Sequence, residues 1–458
     1  AYLRIISARD IRCPTLWSLL HGAGLRVGSL NYVAHSPAPK IDGYVIPGWV
    51  PWRWIKKHSH PADLIDRLKD QLPEFDLQDL AMNFKEEEKA VAGAQIEEFE
   101  PWVDLHIRRE KQWFNILRHQ LQHDRTKLTG IVFDGVDKIQ HLMWPFLDPS
   151  LEPDNPSDEF VRARQRCWDY FNLIDGFLAE TVDIVGDDGH VFVVSDHGFS
   201  GSTEIIYINT WLEQQGYLTW SDVAKVESSS SQELGDAHPY HLTHMDLSRT
   251  RAYAASASSN GIHINVAGDR GDQGIAPGDY EAFRQELIEA LLTRCVDPQT
   301  SEPLVTQVWT REEIFDGPRI GFAPDLTLAF RDHGFFSILR SDAVLKARSV
   351  PMGTHHPEGV WMANGPGVRR GAQFGPMEIV DVAPTVMYLL GQPIPEDFEG
   401  RVATDMLTPQ YLEGHRVVNA SGANQDAAPV PAADEAMADD QESKAQVMMR
   451  LRALGYLE

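Results

Sequence analysis

The stretch Val191-Phe192-Val193-Val194-Ser195-Asp196-His197-Gly198-Phe199 constrains this chain more than any other. Three valines and a phenylalanine in a row suit a strand buried on both faces, as in a parallel sheet covered by helices. The run then ends in an acid, an imidazole and a glycine, and Gly198 permits a sharp turn. Asp196 and His197 offer a hard oxygen and an imidazole nitrogen to one cation or to two neighbouring ones. Taken alone, an Asp-His-Gly is more often a polar turn than a ligand pair, because short motifs match by chance. Two other stretches change that balance.

The first follows Leu128-Thr129-Gly130-Ile131-Val132-Phe133, a second buried-strand candidate. Beyond it, Asp137 and His141 stand four residues apart, which brings both side chains to one side of a helical turn. Between the two strands, Asn155-Pro156 opens a helix in which Cys167, Phe171, Ile174, Leu178 and Val182 recur at helical spacing up to Gly186. If the strands are parallel, strand, helix and strand form a right-handed βαβ unit with both acid-histidine pairs at one carboxyl edge. The second stretch is Gly353-Thr354-His355-His356-Pro357-Glu358-Gly359, a histidine pair in an expected turn. It can bring a distant imidazole to the other four residues.

Size and charge limit the alternatives. A chain of 458 residues with 43% hydrophobic content supports a large core. No apolar run approaches the roughly 20 residues of a membrane span, and no signal-peptide pattern opens the chain. A cytoplasmic location is the expectation, although Ala1 stands where an initiator Met would be. The formal charge of -26 argues against a nucleic-acid duplex or an anionic membrane surface as partner. A small anionic substrate remains compatible, since a held cation reverses the local field. Cys13, Cys167 and Cys295 form neither a disulfide framework nor a zinc-ribbon pattern.

The remaining stretches place the site. Gly22-Ala23-Gly24 lies between a helix and the strand-like Val27 to Val33, the reverse of the order a dinucleotide fingerprint needs. Pro101 to His123 reads as a long helix with His106, His119 and His123 on its solvated side. Residues 201 to 218 read as a return to helix. His238, His241 and His244 fall in a Ser-rich loop, too loosely held for a metal site. Strands and one helix, Tyr280 to Thr293, make residues 221–350 a smaller α+β portion over the site. The expected divisions are a core at 1–220, this cap at 221–350, a core return at 351–412, an acidic linker at 413–443 and a docking helix at 444–458.

Taken together, Asp137-x-x-x-His141, Ser195-Asp196-His197-Gly198 and Gly353-x-His355-x-x-x-Gly359 resemble the type I phosphodiesterase and nucleotide pyrophosphatase family of the alkaline phosphatase superfamily. Asn209-x-Trp211-Leu212, Gly261-Ile262-x-Ile264-Asn265, Ala323-Pro324-Asp325-Leu326 and Asp381-x-Ala383-Pro384-Thr385 carry the similarity to about residue 405. The resemblance implies an α/β fold with a mostly parallel central sheet, helices on both faces and a smaller α+β cap. It implies two divalent ions, zinc or alternatively manganese, and a small phosphate-ester substrate. Asp137, His141 and His355 would hold one ion. Asp196 and His197 would hold the other, with an aspartate from the family's first strand.

That first strand, and the threonine or serine nucleophile after it, would precede the segment matching Arg9-Asp10-Ile11 and Pro14-Thr15-Leu16-Trp17. Asp10 and Thr15 lie in this later segment and lack the strand-to-helix setting of the family's ligand and nucleophile. The chain is therefore expected to be truncated at its amino terminus, to lack a sheet-centre strand and to have little phosphodiesterase activity alone. The alternatives are a sulfatase or phosphomutase of the same superfamily, or a catalytically silent metal- or protein-binding relative. Cys13-Pro14-Thr15-Leu16 does not supply the Cys-x-Pro-x-Arg setting of a sulfatase.

Overall fold

A computed structural model of the chain describes residues 7–81, 99–221, 244–256, 259–268 and 274–420. Helix α1 (Leu16–Gly22) begins where Thr15 accepts a hydrogen bond from the Ser18 N–H at 3.2 Å, an ordinary N-cap. Asp10 is likewise local, accepting from the Ser7 N–H at 2.9 Å. Strands β1 (Val27–Tyr32) and β2 (Gly43–Pro47) pair in parallel. On the other side of β1, in parallel again, lies β3 (Leu128–Ile131). Of the two runs read as buried strands, Leu128 to Phe133 enters this layer, whereas β2 was not foreseen, and β1 is buried along almost its whole length.

Helix α2 (Phe99–His123) crosses beneath this sheet and packs along α3 (Gly135–Leu147) and α4 (Asp158–Val185). Pro101, Arg108, Lys111 and Gln122 are exposed along one stripe, with Asp104, Asn115 and Arg118 half-exposed between them, and the rest of its surface is largely covered. Trp113, Phe114 and Leu117 meet the sheet side, while Trp102, Val103 and Ile107 meet α3 and α4. His106 is buried against Trp102 and not on a solvated face as expected. The polar stripe runs through Arg108, Lys111 and Gln122, and His106 lies off it, so residue polarity and not periodicity misplaces His106. His119 and His123 do lie near the surface.

After α4 comes β4 (Val191–Val194), then β5 (Gly198–Ile206) and α5 (Ile208–Gln214). Of residues 201 to 218, expected as helix, 201–206 are strand and Ile208–Gln214 are helix. A four-stranded antiparallel sheet follows, built from β6 (Ala252–Ala254), β7 (Gly261–Ile264), β8 (Val305–Thr310) and β9 (Leu326–Phe330) in the order β6-β7-β9-β8. Helix α6 (Tyr280–Arg294) covers it, and Phe283, Leu287 and Leu291 join one apolar core with Ile262 and Leu326. The chain returns through β10 (Leu345–His356), antiparallel to β5, and β11 (Trp361–Asn364), antiparallel to β4. Helix α7 (Val382–Leu389) then packs near β1 and α1.

The architecture is mixed α/β, with a difference from the expected central sheet. Among the described residues the ladders are short and mostly antiparallel, and parallel pairing outside isolated bridges is confined to β2-β1-β3 and a two-residue pair, Ile394–Pro395 with Asn419–Ala420. No ladder among them joins β3 to β4. Between those strands runs a groove of about 2470 Å³, walled by the two strands, by Leu121 of α2, Ile174 and Leu178 of α4 and Val386 of α7. Both strands are only half-buried along their length, although their composition suits burial on both faces. Residues 421–458, with most of the expected linker and the last helix, lie outside the described residues, as do His238 and His241. Among the described residues no helix is long and apolar enough to cross a membrane.

A buried polar cluster lies where α2, α3 and α4 meet. Glu110 of α2 is fully buried and accepts from the Gly135 N–H at 2.7 Å and from the Tyr170 hydroxyl at 3.3 Å. Beside it Lys138 pairs with Asp134, both buried.

Two outcomes are expected. Amides of β3 and β4 that face the groove should exchange with solvent on the order of 100-fold faster than those of β1, because unladdered backbone opens locally. Hydrogen-exchange mass spectrometry checks this, and equal protection would contradict the open edges. The second concerns pH. Burial, and after it the charge of Asp134, push the Glu110 carboxyl from 4.5 up to about 8. The folded state then binds a proton that the unfolded state has released, so this contribution is present below about pH 4.5 and is lost as pH rises towards 8. The urea midpoint should decline over that window, and less steeply in Glu110→Gln.

Candidate metal centre

Each of the five residues singled out in the sequence is placed by a different local rule. Asp137 and His141 lie one turn apart on α3, so their side chains share a face. Asp196 and His197 fall between β4 and β5. His355 lies on β10, not in a turn, directly opposite Phe199 of β5. The strand register therefore brings 355 beside 197, although more than 150 residues separate them.

Close backbone approach makes this possible. A Cβ on Gly353 would lie 2.1 Å from the carbonyl oxygen of Gln140, and one on Gly198 would lie 1.9 Å from that of Glu358. Neither position takes a larger residue without moving backbone. Gly198 has no positive φ, so its role is this proximity and not the sharp turn its sequence context suggested.

The five side chains converge. Asp137 Oδ1 lies 3.4 Å from His141 Nε2, 3.3 Å from His355 Nε2 and 3.8 Å from His197 Nε2. The two imidazole nitrogens of His141 and His355 are 3.1 Å apart, and the rings of His197 and His355 stack at 3.6 Å. Asp196 stands at the rim, its side chain 80% exposed, with Oδ1 3.6 Å from His197 Nε2.

Hydrogen bonds fix which nitrogens face inward. His141 Nδ1–H donates to the Gly353 carbonyl at 3.1 Å, and His197 Nδ1–H donates to the Gly198 carbonyl at 3.1 Å. A carbonyl only accepts, so in each neutral ring Nε2 carries the lone pair. Burial pushes the Asp137 carboxyl up, but the imidazoles of His141 and His355 outweigh it and hold the group well below the usual carboxylate range. The His355 ring is lowered, first by burial and further by its two imidazole neighbours, against the raising effect of Asp137. The centre thus favours an ionised Asp137 carboxylate beside an uncharged His355 ring. Asp137 Oδ1 is buried with no hydrogen-bond partner. A buried carboxylate oxygen in that condition, ringed by imidazole lone pairs, fits a cation. Asp137, His141 and His355 each bring a ligand atom within 4.8 Å of the others.

Aromatic rings surround the group. Phe199 lies edge-on to His141 at 4.9 Å, and Phe335, from the turn after β9, stands 5.4 Å from His355. Phe199 was within reach of the sequence, since it adjoins the Asp196-His197 motif, but no strand was expected there. Phe335 was not, because nothing local marks a residue that reaches the site from the cap.

The residues that make this centre all fall in one segment, 7–357, which matches the profile of type I phosphodiesterase / nucleotide pyrophosphatase. The chain belongs to that family. No curated protein matches it. Membership makes this a phosphodiesterase- or pyrophosphatase-type hydrolase of a metal-dependent family, with small phosphate esters as the family's substrates.

Within this family member the adjacent imidazoles are not equivalent. His356 Nδ1 accepts from the Glu358 N–H at 3.1 Å and its ring lies against His333. His355→Ala should therefore weaken zinc or manganese uptake by about 100-fold or more, beyond what outer-shell changes cost, while His356→Ala leaves it nearly unchanged. Metal analysis after dialysis against a buffered metal checks this, and the reverse order would move the ligand to His356.

Proposed function

We propose that the protein is a hydrolase of phosphoric esters that works with two divalent ions, zinc or alternatively manganese. Asp137, His141 and His355 surround one ion, and Asp196 and His197 take the other. The observation that carries this is the buried, partnerless Asp137 Oδ1 among three imidazole nitrogens. When bound, such ions supply Lewis-acid stabilisation of the phosphoryl oxygens and activate a hydroxyl. The chain's own part is to hold the donors ready. His141 and His197 are turned by carbonyls, Asp137 supplies the charge, and Phe199 and Phe335 limit water around the rings.

The reading extends to the architecture. We take β2-β1-β3 and β4-β11 as parts of one alkaline phosphatase-like sheet, with the groove between β3 and β4 as the place of an intervening strand. Support comes from the groove itself, which is apolar along the strands and reaches Asp137, Asp196, His197 and His355 at its end. An aspartate on such a strand would complete the second ion's ligands. In this division residues 1–220 and 351–412 form the core and 221–350 the cap. A second reading, a silent metal- or protein-binding relative, is favoured by one observation. Asp10 and Thr15, which could stand in for ligand and nucleophile, are both engaged in local caps.

Zinc or manganese uptake and vanadate binding, each compared with Asp137→Ala and Asp196→Ala, test the proposal together with hydrolysis of a chromogenic phosphodiester. We expect metal and vanadate to bind, with a loss of about 100-fold in affinity in the Asp137 variant. Metal and vanadate binding without turnover favours the second reading, a silent metal-binding relative. Turnover abolished by Asp196→Ala would place the nucleophile within this chain. Absence of both metal and vanadate binding sinks the hydrolase reading.

A further inference from the structure

The helix that carries Asp137 and His141 starts without the cap its sequence offers. Asp134 stands at the N-cap position of α3 but makes no side-chain cap bond, because its carboxylate pairs with Lys138. The first N–H groups of a helix have no partner within the helix and need one when buried. Gly135 N–H finds it in Glu110 Oε1 at 2.7 Å, on a different helix. The Tyr170 hydroxyl of α4 donates to the same oxygen at 3.3 Å. An acidic side chain also suits the positive end of the helix dipole.

The fit leaves little freedom. A Cβ on Gly135 would lie 2.6 Å from both Glu110 Oε1 and the Tyr170 hydroxyl. Glu110 is fully buried, and its second oxygen has no hydrogen-bond partner among the described residues. The shorter of the two bonds to its other oxygen is the one to the start of α3, two residues before Asp137 and six before His141. A helix held at its first residue by another helix cannot slide or rotate about its axis without breaking that bond. Ligand atoms separated by 3.3 to 3.8 Å tolerate only small displacements of this kind.

We propose that Glu110 is a positioning residue for the metal centre: by holding the Gly135 N–H from α2, it sets the placement of α3 and so brings Asp137 and His141 into register with His355. This rests on the metal reading above. It separates Glu110 from the many buried residues whose loss merely lowers stability.

The test uses two substitutions of similar size. Glu110→Gln keeps an acceptor oxygen for Gly135, whereas Glu110→Met removes it and leaves the Gly135 N–H unpaired, a cost that an ordinary domain withstands, with far-UV circular dichroism confirming the fold. The readouts are the visible spectrum and affinity of bound Co²⁺, and hydrogen exchange of residues 135–141 without metal. Glu110→Met should weaken Co²⁺ binding about 10- to 100-fold, alter its d–d bands and release the Gly135 amide, while Glu110→Gln keeps all three near the parent. The proposal is overturned if Glu110→Met binds Co²⁺ within about threefold of the parent with an unchanged spectrum. It is also overturned if Glu110→Gln loses the protection of Gly135. A parent protein that takes no Co²⁺, yet frees Gly135 in the Met variant, would sink the metal reading while leaving the hold of Glu110 on α3 intact.

Discussion

An imidazole can offer a lone pair to a cation only at the nitrogen its other hydrogen bond leaves bare, and the centre depends on that constraint being met twice by backbone carbonyls. The bond from His141 to Gly353 matters most, because it ties α3 to β10 across 212 residues of chain. It forms only because Gly353 lets the strand come into backbone contact with the helix at Gln140. One glycine thus sets both the proximity of two elements and the tautomer of a histidine. Gly198 does the same for the start of β5 against residue 358.

Charge organises the same region. The chain as a whole carries a formal -26, yet the centre is not a patch of surface acids. Asp137 is a buried carboxylate kept ionised by imidazoles, while 27 residues earlier Glu110 is a buried carboxyl with a raised pKa. Two acids on neighbouring helices differ because one faces rings that favour its charge and the other faces Asp134 and apolar walls. The first suits a cation. The second, largely neutral near pH 7, accepts a helix N–H without bringing a competing charge to the centre.

The half-buried strands give the molecule its other distinctive feature. The valines of β4 and the apolar run through β3 have the composition of strands covered on both faces and laddered on both edges, but each meets one partner. The groove between them ends at the candidate metal centre. Architecture and chemistry therefore meet at one place, and a strand lying there would act on both.

Much of the site was legible because its chemistry is written in short, local motifs. The i, i+4 spacing of Asp137 and His141 encodes a shared helix face, and the valine run before Asp196 encodes a strand end. Family resemblance selected His355 over His356. Other features resisted because they depend on what packs from outside an element. His106 looked solvated because it is polar, but it lies off the exposed stripe of α2 and packs against Trp102. The histidine pair looked like a turn, since nothing local shows that 345–356 pairs with 198–206 across the intervening cap. The residue types and local spacings of the ligands were determined by the sequence itself. Their convergence, the tautomers fixed by Gly353 and Gly198, the reach of Phe335 and the hold of Glu110 on α3 were decided only by tertiary structure, because each depends on contact between segments far apart in the chain.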